Sequence, residues 1–376
     1  MVDLALKTLV HDKIRFAITV SGVAFAVTLV LVQVGLFQGL LSNATVTIEH
    51  IDADLWVTSK NTPNVDFAHA FPESRVERVR SLPGVARADN LIVTFMNVEL
   101  PSGAEEGSLV YALEDFSKWG IPWKITEGDA ENLRRGRYVF FDDSAVKRFG
   151  KFEVGEYREI LGQRVKVLGR TKEAKSFTTT PITFMDYRLA QSMQPLTLRG
   201  NTTYQLVKVA PGADVQAVKA AIKELLPHND VFTKTEWAER SRSYWIVNTG
   251  IGLNMYLTVF LGCLVGVVVV AQTLYTSTME HLKEFGTVKA IGGSNLDIYR
   301  ILTRQAVVSA VVGFAVGVLP PLALAPVLAA KADLQLLLAP TFAAEVFVGT
   351  LVLCLAASAI SFRKVAGIDP ALVFRT

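Results

Sequence analysis

Residues 243–279 read SYWIVNTGIGLNMYLTVFLGCLVGVVVVAQTLYTSTM, and residues 280–294 read EHLKEFGTVKAIGGS. The first string holds 37 residues without Asp, Glu, Lys or Arg. The hydrocarbon core of a bilayer takes roughly 20 apolar residues of helix, so this string is long enough to cross it. The second string turns abruptly charged, with Glu280 and Lys283, and Glu280 and Glu284, on one face by their three- and four-residue spacing. Gly292-Gly293 then offers a left-handed helix stop, and Ser294 with Asp297 a capping box that starts another helix. The pair of strings predicts a spanning helix that leaves the membrane, ends in a tight turn and re-enters.

Working outward, three further uncharged runs appear: 33 residues from Phe16 to Ile48, 26 from Gln305 to Ala330, and 17 from Val346 to Phe362. Only helices satisfy every backbone polar group within such runs. A mean hydropathy of +0.34 and 51% hydrophobic residues agree. The expected fold class is an α-helical membrane protein with four transmembrane helices and an α+β periplasmic domain inserted between helices 1 and 2. The expected boundaries are an amphipathic N-terminal helix at 1–15, then spans at 16–41, 253–275, 305–330 and 342–362. The outer domain occupies 42–245, the charged hairpin 276–304 and the tail 363–376. The first apolar run is far longer than the roughly 7–15 residues of a signal peptide core, so it is expected to stay as a span.

Orientation follows from Lys and Arg close to the helix ends. Lys7, Lys13 and Arg15 precede the first span; Lys283, Lys289, Arg300 and Arg304 lie in the hairpin; Arg363, Lys364 and Arg375 close the chain. Only Lys331 lies between the last two spans. Ten against one places both termini and the hairpin in the cytoplasm of a multi-pass protein, with 42–245 outside. Val2, Leu6, Leu9 and Val10 share one helical face, suited to the inner membrane surface.

The outer domain carries 27 basic and 27 acidic residues, with no basic stripe for nucleic acid. Cys263 and Cys354 both fall in predicted spans, which leaves no disulfide framework. Alternating stretches at 54–58, 91–95, 108–112, 165–168 and 204–209 predict strands. Residues 72–82 and 214–226 predict helices, the second capped by Asp214 and stopped by Pro227. Residues 119–194, rich in turns, are expected to form an inserted subdomain.

No phosphate-binding G-x-x-x-x-G-K-[ST], G-x-S-x-G, H-E-x-x-H or C-x-x-C occurs. The histidines at 11, 50, 69, 228 and 281 lack ligand spacing, and Asp142-Asp143 and Glu105-Glu106 read as solvated turns. No catalytic or metal site is therefore expected. Within the spans, Gly35 and Gly39, Gly262 and Gly266, and Gly313 and Gly317 are small-xxx-small pairs, suited to helix packing inside one subunit or to a homodimer contact. No span carries a charge near its centre, which removes a carrier for a proton or ion relay. Pro320, Pro321 and Pro326 are expected to kink the third span.

Lys283, Glu284, Phe285, Gly286, Lys289, Ala290, Ile291, Gly292 and Ser294 resemble the cytoplasmic loop pattern R-E-[IF]-G-x-x-[KR]-A-[LIV]-G-[AG]-S of the MacB/FtsX/LolC superfamily of ABC transporter permeases. The tail residues Ala366, Asp369, Pro370, Ala371 and Arg375 are similar to its closing signature, and residues 136–141, 145–150, 154–155 and 167–169 to its periplasmic core domain. His281 stands where arginine is frequent. Chain length, the N-terminal helix and the strand Ala53–Val57 look most like the DevC-type branch.

The resemblance implies a non-catalytic subunit, since no ATPase domain is fused. ATP and Mg would reside on a separate ABC ATPase, contacted through Glu280, Lys283, Glu284, Phe285, Gly286, Lys289 and Gly292. It also implies a homodimer in a bacterial inner membrane, with a periplasmic membrane-fusion adaptor and an outer-membrane duct as partners, and efflux or lipid and lipoprotein handling as function. The alternative within the same superfamily is an FtsX-like transmembrane regulator of a periplasmic enzyme.

Overall fold

A computed structural model describes residues 13–178, 180–280, 287, 294–331 and 334–366. The chain divides into two compact units: residues 40–251, and a helical unit of 1–39 with 252–376.

The helical unit contains four long helices: α1 (Lys13–Asn43, whose last turn belongs to the other unit), α2 (Ile251–Glu280), α3 (Asn295–Lys331) and α4 (Pro340–Ala366). All four are long and apolar enough to cross a membrane. Val23, Val27 and Leu31 of α1 form its centre with Val270 and Leu274 of α2, Ala306 and Ala310 of α3, and Cys354 and Ala357 of α4. Large side chains such as Phe260, Leu264 and Val268 on α2, Leu322 on α3 and Val352 on α4 remain exposed. Helices with apolar residues on their outward faces as well as their inner ones belong in lipid. Residues 334–339, between α3 and α4, are not helical.

The second unit is built on one ten-stranded sheet, with a separate two-stranded ribbon of β2 (Phe71–Pro72) and β10 (Asn201–Thr202). Its strands are β1 (Leu55–Ser59), β3 (Val85–Glu99), β4 (Glu105–Leu113), β5 (Ile125–Glu127), β6 (Tyr138–Asp142), β7 (Tyr157–Ile160), β8 (Gln163–Thr171), β9 (Ile182–Asp186), β11 (Tyr204–Val209) and β12 (Asn229–Thr233). Their order is β12-β1-β11-β3-β4-β9-β6-β8-β5, and β7 pairs with both β3 and β8. That extra pairing closes β3-β4-β9-β6-β8-β7 into a hydrogen-bonded ring, which removes free edges from those strands.

The period-two alternation sorts side chains between two faces. Trp56, Leu91, Val93, Leu109, Tyr111, Phe140, Phe184, Tyr204 and Leu206 share one core, covered by Trp237 and Ala238 of the helix Lys234–Ser243. The intervening positions Ile92, Met96, Val98, Val110, Ala112, Val139, Phe141, Val165, Val167 and Met185 join Phe149 and Tyr187 in a second core on the opposite face. Leu55, Val57, Val207 and Val209 form a third with Val76, Val79, Val218 and Ile222.

Residues 119–194, expected as an inserted subdomain, instead add β5–β9 to this sheet. β3 and β4 supply the rest of the ring, so the stretch has no core of its own. Its turn-rich sequence marks short connections, while the pairings that absorb it lie far off in the chain. The Asp214 cap translates directly: Asp214 accepts from the Gln216 N–H at 2.9 Å at the head of the helix Val215–Leu225. β1, just after α1, lies between β11 and β12, the last two strands before α2, so the strands next to entry and exit are neighbours.

Candidate functional site

The hairpin begins where α2 ends, at Glu280, and α3 starts at Asn295. The Glu280 carboxylate forms an ion pair with the Arg15 guanidinium in the first turn of α1. The α1 backbone is braced there by the Thr19 hydroxyl, which donates to the Arg15 carbonyl at 2.9 Å. At the other end, the Ser294 N–H and hydroxyl both donate to the Asp297 carboxylate, at 2.9 and 2.7 Å. This is half of the expected capping box: the acid reaches back to the cap, while the serine hydroxyl turns to the acid rather than to the helix backbone. Ile298 and Leu302 are buried in a small cluster with Phe362, on which the Tyr299 ring sits edge-on at 5.3 Å. Lys283, Glu284, Phe285, Gly286, Lys289 and Gly292 lie outside the described residues, as do residues 1–12 and Asp369, Pro370, Ala371 and Arg375 of the tail signature.

The six paired glycines all pack within the chain. A Cβ at Gly262 would stand 2.8 Å from Leu29, and one at Gly266 2.9 Å from Ala26, so both seat α1 against α2. Gly313 and Gly317 do the same on α3, at 2.5 Å from Val23 and 2.8 Å from the Ala24 carbonyl. Gly22, not singled out in the sequence, meets Val269 as closely. Gly35 and Gly39 differ: their neighbours are Leu336, the Leu337 carbonyl and Gln335 of the non-helical stretch 334–339. The Leu337 N–H also donates to the Gly35 carbonyl at 3.1 Å. The spacing signals close approach but not what approaches, and here it is a non-helical connection rather than a helix.

α3 runs unbroken through Pro320, Pro321 and Pro326. Pro321 has no N–H for the Gly317 carbonyl four residues earlier. The Thr28 hydroxyl of α1 supplies the missing donor at 2.8 Å, which the absence of a Gly317 side chain makes reachable. The bond satisfies a carbonyl that hydrocarbon would otherwise leave bare.

In the α/β unit, the chain into α2 is organised by aromatic rings. The helix Lys234–Ser243 carries a complete capping box between Thr233 and Glu236, with Lys219 held on Glu236 at 2.5 Å. It runs into a π-helical turn, Tyr244–Asn248, before Gly250 at φ +71°. Trp245 stacks on Phe177 with centroids 4.0 Å apart, and Phe67 leans on both Tyr244 and Trp245 at 5.9 Å. Asp66, next to Phe67, is buried; loss of hydration raises its pKa to about 7, opposed by a hydrogen bond from the Phe177 backbone. Nothing local marks Asp66 in the sequence, because its burial comes from chain more than a hundred residues away.

The paired acids are not both solvated turns. Asp142 is buried, and its carboxylate collects the Ser144 N–H at 3.0 Å, the Ala174 N–H at 2.8 Å and the Thr171 hydroxyl at 3.1 Å. Its pKa is raised by burial against the pull of those donors. Glu105 and Glu106 lie on β4, where Asn97 donates to Glu105 at 2.7 Å. His50 stacks on Trp123 at 4.4 Å. Among the described residues no group of three or more His, Cys, Asp or Glu is placed to hold a metal. These carboxylates cap and brace.

Two family models cover most of the chain. One, described as MacB-like periplasmic core domain, matches residues 16–225; the other, FtsX-like permease C-terminal, matches 256–370. An uncharacterized ABC transporter permease of Mycobacterium bovis is 26% identical over 367 residues, covering 96% of this chain and 95% of the relative. Another from Mycobacterium tuberculosis H37Rv is 24% identical over 392 residues, covering 100% and 99%. Among solved structures, the periplasmic region of MacB from Actinobacillus actinomycetemcomitans aligns at TM-score 0.38 and 10% identity, over 50% of this chain and 92% of that one. The extracellular domain of the transporter YknZ from Gram-positive bacteria aligns at 0.35 and 14%, over 48% and 98%. With one family model over α1 and most of the α/β unit and another over the last three helices, the chain belongs to the MacB/FtsX/LolC superfamily of ABC transporter permeases.

Proposed function

We propose that this permease works by mechanotransmission: a separate ABC ATPase moves the hairpin, and the motion is delivered to the α/β unit on the far side of the bilayer. The chain catalyses nothing itself; ATP and Mg act on the ATPase subunit. Two copies form a homodimer in a bacterial inner membrane, both termini and residues 276–304 cytoplasmic, in the Lys and Arg arrangement that orients spans. A periplasmic adaptor and an outer-membrane duct complete the pathway of a DevC-type exporter.

The Arg15–Glu280 ion pair supports this reading most directly. It ties the base of α1 to the last residue of α2, so a push on the hairpin engages the two helices that lead to either end of the α/β unit. The intrachain glycine contacts of α1 with α2 and α3 support it further, because a closely packed bundle transmits displacement instead of absorbing it. Replacing Glu284 with Ala and Gly286 with Leu in the complex reconstituted with its ATPase tests the proposal. Nucleotide hydrolysis is expected to persist while export falls; fully coupled transport by both variants removes the hairpin from the mechanism.

A further inference from the structure

Connections between strands ordinarily run over the surface, because buried backbone needs partners. The one between β8 and β9 does not: Ala174, Lys175, Ser176 and Phe177 are all buried. Two buried carboxylates hold its backbone. Asp142, at the end of β6, takes the Ala174 N–H at 2.8 Å, and Asp66 takes the Phe177 N–H. Burial raises the pKa of both acids, the mark of carboxylates kept from water at a cost in stability. The Ser176 N–H donates to the Thr180 carbonyl at 2.9 Å, and the Ile182 N–H to the Ala174 carbonyl at 2.9 Å. A segment fixed at so many points holds Phe177 in one position.

The Phe177 ring lies on Trp245 with centroids 4.0 Å apart and planes 11° from parallel. Leu40 and Leu41 in the last turn of α1, Ala44 just beyond it, Tyr244, and Ile251 at the start of α2 complete the same apolar cluster. Among these residues Phe177 alone comes from neither approach to a membrane helix. Strand order gives the contact its meaning. α1 leads to β1, and β12 leads through the helix Lys234–Ser243 to α2. β1 and β12 lie together at one end of the sheet, whereas β8 and β9 belong to the six-stranded ring at the other. The chain itself therefore ties both membrane helices to one end of the sheet, and the buried connection reaches back from the other end to the same two approaches.

We infer that Phe177 is the positioning residue through which displacement of the α1 and α2 approaches reaches the six-stranded ring, an inference that rests on the mechanotransmission reading. Phe67 offers a second route, since it leans on Trp245 and meets Phe95 of β3 at 6.2 Å. Phe67 is 39% exposed and Phe95 42%, so water competes for that contact, whereas Phe177 is 3% exposed.

The test puts spin labels at Ser102→Cys, in the exposed β3–β4 turn of the ring, and at Lys223→Cys, exposed on the helix Val215–Leu225 that packs at the β12 end. The full-length chain carries Cys263→Ala and Cys354→Ala and is reconstituted with its ATPase. Double electron–electron resonance reads the distance between the labels without nucleotide and with ATP plus vanadate, and no cargo is needed. In the parent, ATP is expected to shift the distance. Phe177→Ala and Phe177→Leu are expected to lose most of that shift while ATP hydrolysis continues. Trp245→Phe, which keeps a stacked ring, and Phe95→Ala, which removes only the exposed route, are expected to retain it. Phe177→Leu keeps apolar volume, so slow hydrogen exchange at residues 174–177 is expected to persist and to show the connection intact. Should that exchange quicken, Trp245→Leu breaks the same stack from the other side. A full shift in Phe177→Leu and Trp245→Leu, loss of the shift in Phe95→Ala alone, or no shift in the parent each overturns the inference. Mechanotransmission itself stands or falls separately, on the Glu284 and Gly286 variants.

Discussion

Thr28 and Pro321 show how a single side chain repairs a backbone defect inside the membrane. Thr28→Val keeps the volume and removes the donor, so the Gly317 carbonyl loses its partner. The expected cost is about 1 kcal/mol in thermal unfolding in detergent. In a Pro321→Ala background the backbone N–H returns, and the same Thr28 change is expected to cost much less; equal costs in both backgrounds would show that the hydroxyl does not serve that carbonyl. Asp66 offers a second test outside the spans. Its folded pKa of about 7 lies above the unfolded value of 3.8, so the native state holds the proton more tightly. Stability is then greatest below the unfolded value, falls as pH rises from about 4 to about 7, and levels off above. Asp66→Asn cannot ionise, so its melting temperature relative to the parent is expected to rise from pH 5 to pH 8. A constant difference would mean that the carboxyl is hydrated.

At the scale of elements, glycines with the same spacing have opposite sensitivities. Gly39→Ala drives a methyl into the Gln335 backbone carbonyl, which cannot rotate away, and is expected to lower the melting temperature despite a helix propensity gain of about 1 kcal/mol. Gly349→Ala meets open space and is expected to hold or raise it. The same contrast measures how far the sequence could be read. Spans, the Asp214 cap and the strands β1, β3, β4, β8 and β11 follow from neighbours within a few residues, and such features were legible. The partner of Gly35 and Gly39, the closure of β3 by β7, and the burial of Asp66 and Asp142 depend on segments distant in the chain, for which one sequence carries no local mark. Of the hairpin, Glu280 and the Ser294–Asp297 cap now have defined partners, and its centre rests on the motif.

For the whole molecule, orientation is the property on which the mechanotransmission proposal depends. With Cys263→Ala and Cys354→Ala as background, single cysteines at Ser102, in the exposed β3–β4 turn, and at Ser294, beside the hairpin, report on opposite sides. A membrane-impermeant maleimide applied to spheroplasts is expected to label Ser102→Cys at once and Ser294→Cys only after the membrane is opened. The reverse order inverts the protein and removes any access of a cytoplasmic ATPase to residues 276–304.

The position of β1 between β11 and β12 also bears on biogenesis. A nascent chain synthesises residues 55–59 early but has no partner for them until residues 204–209 and 229–233 emerge, so the sheet closes only near the end of its own segment. Pairing across so long a loop is slow to nucleate and leaves an open template exposed meanwhile. A ribosome that stalls or terminates anywhere between would release a polypeptide with an unsatisfied first strand, a natural substrate for proteolytic quality control before α2 is ever made.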